Sequence, residues 1–315
     1  MSPGNVARAL FALALVAAPA FAQDKLKVAT GQRGNWDTSV GEIGQRAGIF
    51  KKHGIELEIL YTQGGGETQQ AVISGAVDIG VGAGTVGAMS VYSKGAPVRV
   101  ISAETTGAGD LYWYVKTDSP IKSLADTAGK TIAFSTKGSS TDGVVTAFIR
   151  EQKLTAKPTG TGSPPSTLTQ VMSGQVDVGW AAPPFGLEQL DKKEIRIIAT
   201  GNDTNFKGQT VRVNIAHVDV LKNKKAILDR YMKAYRETVD FMYEGDKGLE
   251  IHSSWLGIPL DLSRRTRDGF FPKSSVDPDK IVGLDLVMPD AVEMKFIAAP
   301  LTKTQIDEMI QIPPR

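Results

Sequence analysis

Residues 77–87 read VDIGVGAGTVG, and the glycines at 82, 84 and 87 fall in the pattern G-x-G-x-x-G. An apolar run from Val77 to Val81 leads into them, and Glu104 closes a second apolar run, VRVISAE (98–104). On a strand–turn–helix unit this spacing suits a dinucleotide. Glycines let a pyrophosphate reach the free N–H groups of a helix start, and an acid about 20 residues on holds the ribose. Other chemistry is missing. The histidines are His53, His217 and His252, at no metal-ligand spacing, and the chain has no cysteine. That excludes disulfides, thiolate metal sites and a catalytic thiol, and no G-x-S-x-G elbow offers a serine nucleophile. We expect no enzyme, no metal site and no cofactor.

An internal echo argues against the dinucleotide. VISGAVDIGVGAGTVG (72–87) aligns with VMSGQVDVGWAAPPFG (171–186) at a constant offset of 99 residues. Val72/Val171, Ser74/Ser173, Gly75/Gly174, Val77/Val176, Asp78/Asp177, Gly80/Gly179, Ala83/Ala182 and Gly87/Gly186 are identical. The second copy has Trp180, Pro183 and Pro184 where the first has Val81, Gly84 and Thr85. What repeats is a helix end, a Ser-Gly turn and a strand; the nucleotide-like glycines do not repeat, so the pattern is read as incidental.

The N-terminus points the same way. Arg8, the apolar stretch ALFALALVAAPA (9–20) and the small residues Ala20 and Ala22 make a secretory signal peptide over 1–22, cleaved after Ala22. An exported chain meets little NAD. With no cysteine there is no lipid anchor, so the expected location is the periplasm. A net charge of +2, with 22 % of residues charged, suggests neither nucleic acid nor a polybasic membrane surface.

The elements that must position any site alternate. Strands are expected at 26–30, 55–61, 77–82 and 98–104, then at 110–116, 130–135, 176–181, 195–201 and 211–217. Helices are expected at 38–54, 66–75, 85–95, 139–152, 166–174 and 224–245. Strand–helix alternation implies parallel sheets covered on both faces. The stripe Ile227, Leu228, Tyr231, Met232, Tyr235, Val239 and Met242 reads as core packing. Two similar modules and a helical return give two α/β lobes: 24–105 plus 212–315, and 111–203. Gly-, Thr- and Asn-rich crossings near 105–110 and 202–210 form a two-segment hinge.

Several stretches carry a family resemblance across nearly all of the mature chain. They are AGIFKKHGI (47–55), both S-G-x-V-D copies, and IKSLADTAGKTIAFSTKGSS (121–140), where Thr127 and Ala128 depart from the usual Leu and Lys. The chain resembles the type II periplasmic solute-binding proteins of ABC importers for sulfonates, taurine, nitrate and thiamine precursors. The resemblance implies a monomer that traps a small organic anion (sulfonate, taurine, nitrate or carboxylate) in the cleft. It also implies an inner-membrane permease and a cytoplasmic ATPase as partners. Two alternatives stay open: a thiamine-precursor (pyrimidine) binding or processing protein, and a ligand-binding partner of a sensor kinase or chemoreceptor.

Ligands in open α/β sheets sit beyond the carboxyl ends of the strands. That rule nominates Arg33, Asn35 and Trp36 after the first strand, with Arg33 and Asp37 forming a solvated rim as the plainer reading. It nominates Gln63 after the second strand, and Gly84 and Thr85 after the third. In the second lobe it picks Ser135, Lys137, Ser139, Ser140 and Thr141, the serines serving equally as helix caps. Trp180 is either a stacking surface or core, and Asp203 either an amine ligand or a turn former. Charge-assisted hydrogen bonds of about 1.5–3 kcal/mol each let five or six donors reach micromolar affinity, roughly −8 kcal/mol, without a metal.

Overall fold

A computed structural model describes residues 23–315; the expected signal peptide lies outside the described residues. Ten strands are formed: β1 (Asp24–Gly31), β2 (Ile55–Thr62), β3 (Ile79–Gly84), β4 (Val98–Thr106), β5 (Tyr112–Lys116), β6 (Thr131–Phe134), β7 (Lys157–Gly160), β8 (Gly179–Ala181), β9 (Ile195–Thr200) and β10 (Thr210–His217). The first lobe has the order β2-β1-β3-β10-β4. In the second, β8-β5-β9 joins β6-β7 through a parallel bridge between Ile132 and Val178. Its order is therefore β7-β6-β8-β5-β9, the same arrangement. These are two α/β lobes joined by a two-segment hinge, the type II periplasmic-binding-protein fold.

Neither sheet is wholly parallel, as strand–helix alternation alone would have it. β10 runs antiparallel to β3 and β4, and β5 antiparallel to β8 and β9. The cause is topological: β5 and β10 each arrive from the opposite lobe, without the crossover helix that makes a strand parallel.

The structure explains the repeat residue by residue. Val28 pairs with Ile79 in one lobe, and Ile132 with Val178 in the other, so the register is shared. The Asp78 carboxylate accepts the Lys27 N–H at 3.0 Å; that of Asp177 accepts the Thr131 N–H at 2.9 Å. Each aspartate satisfies a backbone donor of the neighbouring strand. Gly80 and Gly179 are repeated because the helix above presses on the strand. A Cβ built on Gly80 would lie 2.9 Å from the Val72 side chain, and one on Gly179 would lie 2.7 Å from Val171. Gly75 and Gly174 end their helices with φ of 71° and 77°, where a side chain is strained.

The continuous helix expected at 38–54 is broken. Helical segments Val40–Arg46 and Ile49–Lys52 flank Gly48, whose φ is 76°. The edge strand β7 had no signal in the sequence, because KPTG neither alternates nor avoids proline; Pro158 is tolerated at an edge. The stripe of helix Lys225–Tyr243 is core as expected, with Leu228, Tyr231, Met232, Tyr235, Val239 and Met242 buried against Trp36, Ile43 and Phe50. A second core runs from the first lobe into the second, and helix Ser140–Glu151 places Gly143 against Val86 and Phe206. Among the described residues no helix is long and apolar enough to cross a membrane.

Candidate functional site

The two lobes touch, and they touch at the nominated loops. Helices Gly65–Ile73 and Thr85–Ser93 of the first lobe begin at one side of a seam; helix Ser140–Glu151 of the second begins at the other. The Gly66 N–H donates to Thr136 Oγ1 at 3.0 Å, Gln69 Nε2 to the Gly138 carbonyl at 2.9 Å, and the Ser163 N–H to Gln63 Oε1 at 3.3 Å. Glycine makes this approach possible. A Cβ on Gly84 would lie 2.6 Å from Ser140 N, and one on Gly64 2.7 Å from Ser135 Oγ. On Gly66 and Gly87 it would overlap the Lys137 and Gly138 carbonyl oxygens. The glycines of the opening motif therefore admit another stretch of backbone, and no pyrophosphate is needed to explain them. Gly82 keeps a left-handed φ of 82° beside Thr38.

A groove of about 800 Å³ flanks the seam, lined by Gln63, Ser135, Lys137, Lys94, Lys295 and Phe296. A smaller, apolar cavity of about 290 Å³ lies on the other flank, where Leu168, Pro184 and Phe185 face Leu256 and Leu262.

The nominated side chains divide. Gln63, Gly84, Ser135, Lys137 and Ser140 come together at the seam. Lys137 is exposed, its Nζ 3.0 Å from Asp142 and 5.6 Å from the Phe296 ring centroid. Ser139 caps its helix by accepting the Asp142 N–H at 3.1 Å. Thr141 Oγ1 accepts the Ser135 N–H and lies 2.9 Å from the Ser135 and Ser139 hydroxyls. Both are spent on holding the loop. Thr85 Oγ1 donates to the Thr210 carbonyl at 2.7 Å, tying its helix to the returning crossing. Arg33 is exposed, stacked 5.2 Å over Trp255 and donating to the Trp255 carbonyl.

Three candidates move away from the seam. Trp36 is buried; its Nε1 donates to Tyr243 Oη at 3.1 Å, and its ring meets His252 edge-on. Trp180 is 1 % exposed in the second lobe's core, its indole N–H unpaired. A strand that ends in the sheet interior buries its aromatic however close the cleft loop follows. Asp203 closes a turn by accepting the Thr200 N–H at 2.7 Å. Asn35 stays close to the cleft loop but is buried, donating to Gln32 Oε1 at 3.1 Å with its own Oδ1 unpaired.

The sequence reading missed Gln32, Thr136 and Gln69. Gln32 directly follows β1, is 8 % exposed and holds φ at 74°, a rare conformation for a residue with a side chain. Its position just past a strand end was the available signal. A charged node beneath the cleft was missed as well. Asp37, read as rim, is 1 % exposed and lies 2.7 Å from Arg212 Nε; Arg212 also donates to Asp110 at 2.7 Å. Glu104 is buried beside them with both carboxylate oxygens unpaired. Burial, reinforced by Asp37, raises Glu104 well above the usual carboxyl range. Burial also pushes Asp110 up to about 6, although Arg212 opposes it. No cluster of three or more metal-ligating side chains occurs among the described residues.

A family model described as NMT1/THI5 like matches residues 43–247. The chain belongs to that family. No curated protein sequence matches the chain. Among solved structures, it is similar to the alkanesulfonate-binding protein SsuA from Xanthomonas axonopodis pv. citri bound to MOPS. That pair has 16 % identity and a TM-score of 0.73, covering 92 % of this chain and 98 % of the other. The periplasmic aliphatic sulphonate binding protein SsuA from Escherichia coli is 19 % identical with a TM-score of 0.65, covering 92 % and 93 %. The periplasmic nitrate-binding protein NrtA from Synechocystis PCC 6803 is 13 % identical with a TM-score of 0.69, covering 92 % and 86 %. At these identities the family member shares the neighbours' fold, and its ligand must be argued from its own residues.

Proposed function

We propose that this chain is the extracytoplasmic substrate-binding component of an ABC importer, and that it captures a small organic anion between its lobes. The observation that carries the reading is the seam, where glycines of one lobe accept the backbone of the other and three helices begin. Helix starts present N–H donors free of intrahelical partners and a favourable dipole for negative charge. Lys137, Lys94 and Lys295 add positive charge along the flanking groove, against Glu67. The apolar cavity on the other flank suits an organic tail. Neighbours whose names record sulfonate and nitrate binding support the anion class. The ligand favours the closed arrangement because only there do both lobes contact it.

The test is a thermal-shift and tryptophan-fluorescence titration against taurine, alkanesulfonates, nitrate and carboxylates. A ligand at about a hundred times its Kd stabilises by about 2.7 kcal/mol, which moves Tm by several degrees in a chain of this size. A flat response to the whole panel overturns the anion. A second reading, a pyrimidine precursor of thiamine, has the NMT1/THI5 like match over 43–247 in its favour. It predicts a response to aminopyrimidines instead.

A further inference from the structure

Among the described ion pairs, only those of Arg212 have both side chains less than a tenth exposed. Their placement is specific. Asp37 lies within the Gln32–Thr38 wall that follows β1, and Thr105 Oγ1 of β4 also donates to it at 3.2 Å. Asp110 closes the outgoing crossing, two residues before β5, and Arg212 lies just past the returning one, in β10. The β10–β4 register shifts on both sides of Arg212, and such a bulge re-aims a side chain out of the regular ladder. One guanidinium thus makes an ion-pair contact with Asp37 of the first lobe and hydrogen-bonds to Asp110 on the segment leading into the second.

Stability alone does not account for this. Buried ion pairs recover little more than their desolvation cost, and an apolar replacement of equal shape often serves as well. What a guanidinium supplies in addition is a rigid planar fork that fixes two carboxylates at a set separation. We propose that Arg212 is a positioning residue which couples the Gln32–Thr38 wall to the hinge through Asp37 and Asp110, and so sets the angle at which the lobes meet. This holds whichever solute the cleft accepts.

The groups facing the node are Asp37 from the wall, Glu104 and Thr105 from β4, Asp110 from the crossing, Asn214 from β10, and Tyr231 and Tyr235 from helix Lys225–Tyr243. Glu104 sits well above the usual carboxyl range. Burial raises Asp110 as well, to about 6, against the attraction of Arg212.

The chain lacks cysteine, so Leu60→Cys in the first lobe and Ile197→Cys in the second, both at exposed positions, accept one spin label each. The label–label distance distribution is then measured without added solute. In the labelled parent at pH 7.5 a single main population is expected. Asp110→Asn and Arg212→Lys should each add a longer-distance population of about a tenth of the molecules or more. A lowered Tm with an unchanged distribution in Asp110→Asn would make the node merely structural. If Arg212→Lys fails to fold, Asp110→Asn still decides. None of these readings depends on the solute panel, so failure of the proposed ligand class leaves the hinge test intact.

Discussion

The two copies of S-G-x-V-D differ most in the residues beyond their shared strand. In the first lobe the strand runs on through Gly82 and Gly84 into a helix whose Gly87 lies under the Gly138 carbonyl. In the second it runs through Trp180 to Pro183 and Pro184, and the equivalent Gly186 packs against Tyr112 of its own lobe. The shared half builds a strand and its covering helix, by the same aspartate and the same glycine–valine contact. The divergent half is where each lobe meets the other. One lobe supplies backbone stripped of side chains, and the second supplies the Ser135–Ser140 loop that fits it.

The largest expected effect breaks this asymmetry at Gly87. Inside a helix, Gly→Ala normally stabilises by about 1 kcal/mol. Here the added methyl overlaps the Gly138 carbonyl, so Gly87→Ala should keep a folded chain but hold the lobes apart. Solution scattering should show an enlarged radius of gyration, and the solute-induced fluorescence change should vanish. Gly75→Ala, at a turn with open space, is the control and should cost about 1 kcal/mol with scattering unchanged. A parental scattering profile for Gly87→Ala would refute the glycine seam.

Acid should act next, through the first lobe. All three histidines lie outside the second lobe's strands, and His252 is the buried one. Its Nε2–H donates to the Gly34 carbonyl at 3.1 Å, and Nδ1 accepts from Ser263 at 3.0 Å. Burial pulls its pKa from 6.5 down to about 4, so the fold prefers the neutral ring. That stability is fully present above pH 6.5 and is lost as pH falls toward 4, on the order of 3 kcal/mol in all. His252→Gln, neutral at every pH, should flatten the Tm–pH curve over this window. Parallel curves for parent and variant would remove the ring from the account.

The smallest effect sharpens what the repeat shares. Asp177→Ala removes the acceptor for the Thr131 N–H and hydroxyl, and Asp78→Ala the acceptor for Lys27 N–H. Each should cost about 1–3 kcal/mol in denaturant unfolding. A cost below about 0.5 kcal/mol at either site would mean the repeat has another cause.

Taken by itself, the sequence determined the local half of this protein. Alternating apolar runs, the helix-ending glycines and the 99-residue echo set the modules, because periodicity and turn geometry act over a few residues. The same reasoning nominated Gln63, Ser135 and Lys137, which the fold brings to the seam, because a nominee need only follow a strand. It placed Trp36 at the cleft and left Trp180 undecided between core and cleft, because a strand's pattern does not say how deeply its end is covered. Only the tertiary structure decided that the motif glycines face a second backbone, that β5 and β10 run backwards, and that Asp37, Asp110 and Arg212 share one buried node. Those residues are far apart in the chain, and the energy that unites them, desolvation balanced by a fixed ion-pair geometry, exists only once the crossings have brought them together.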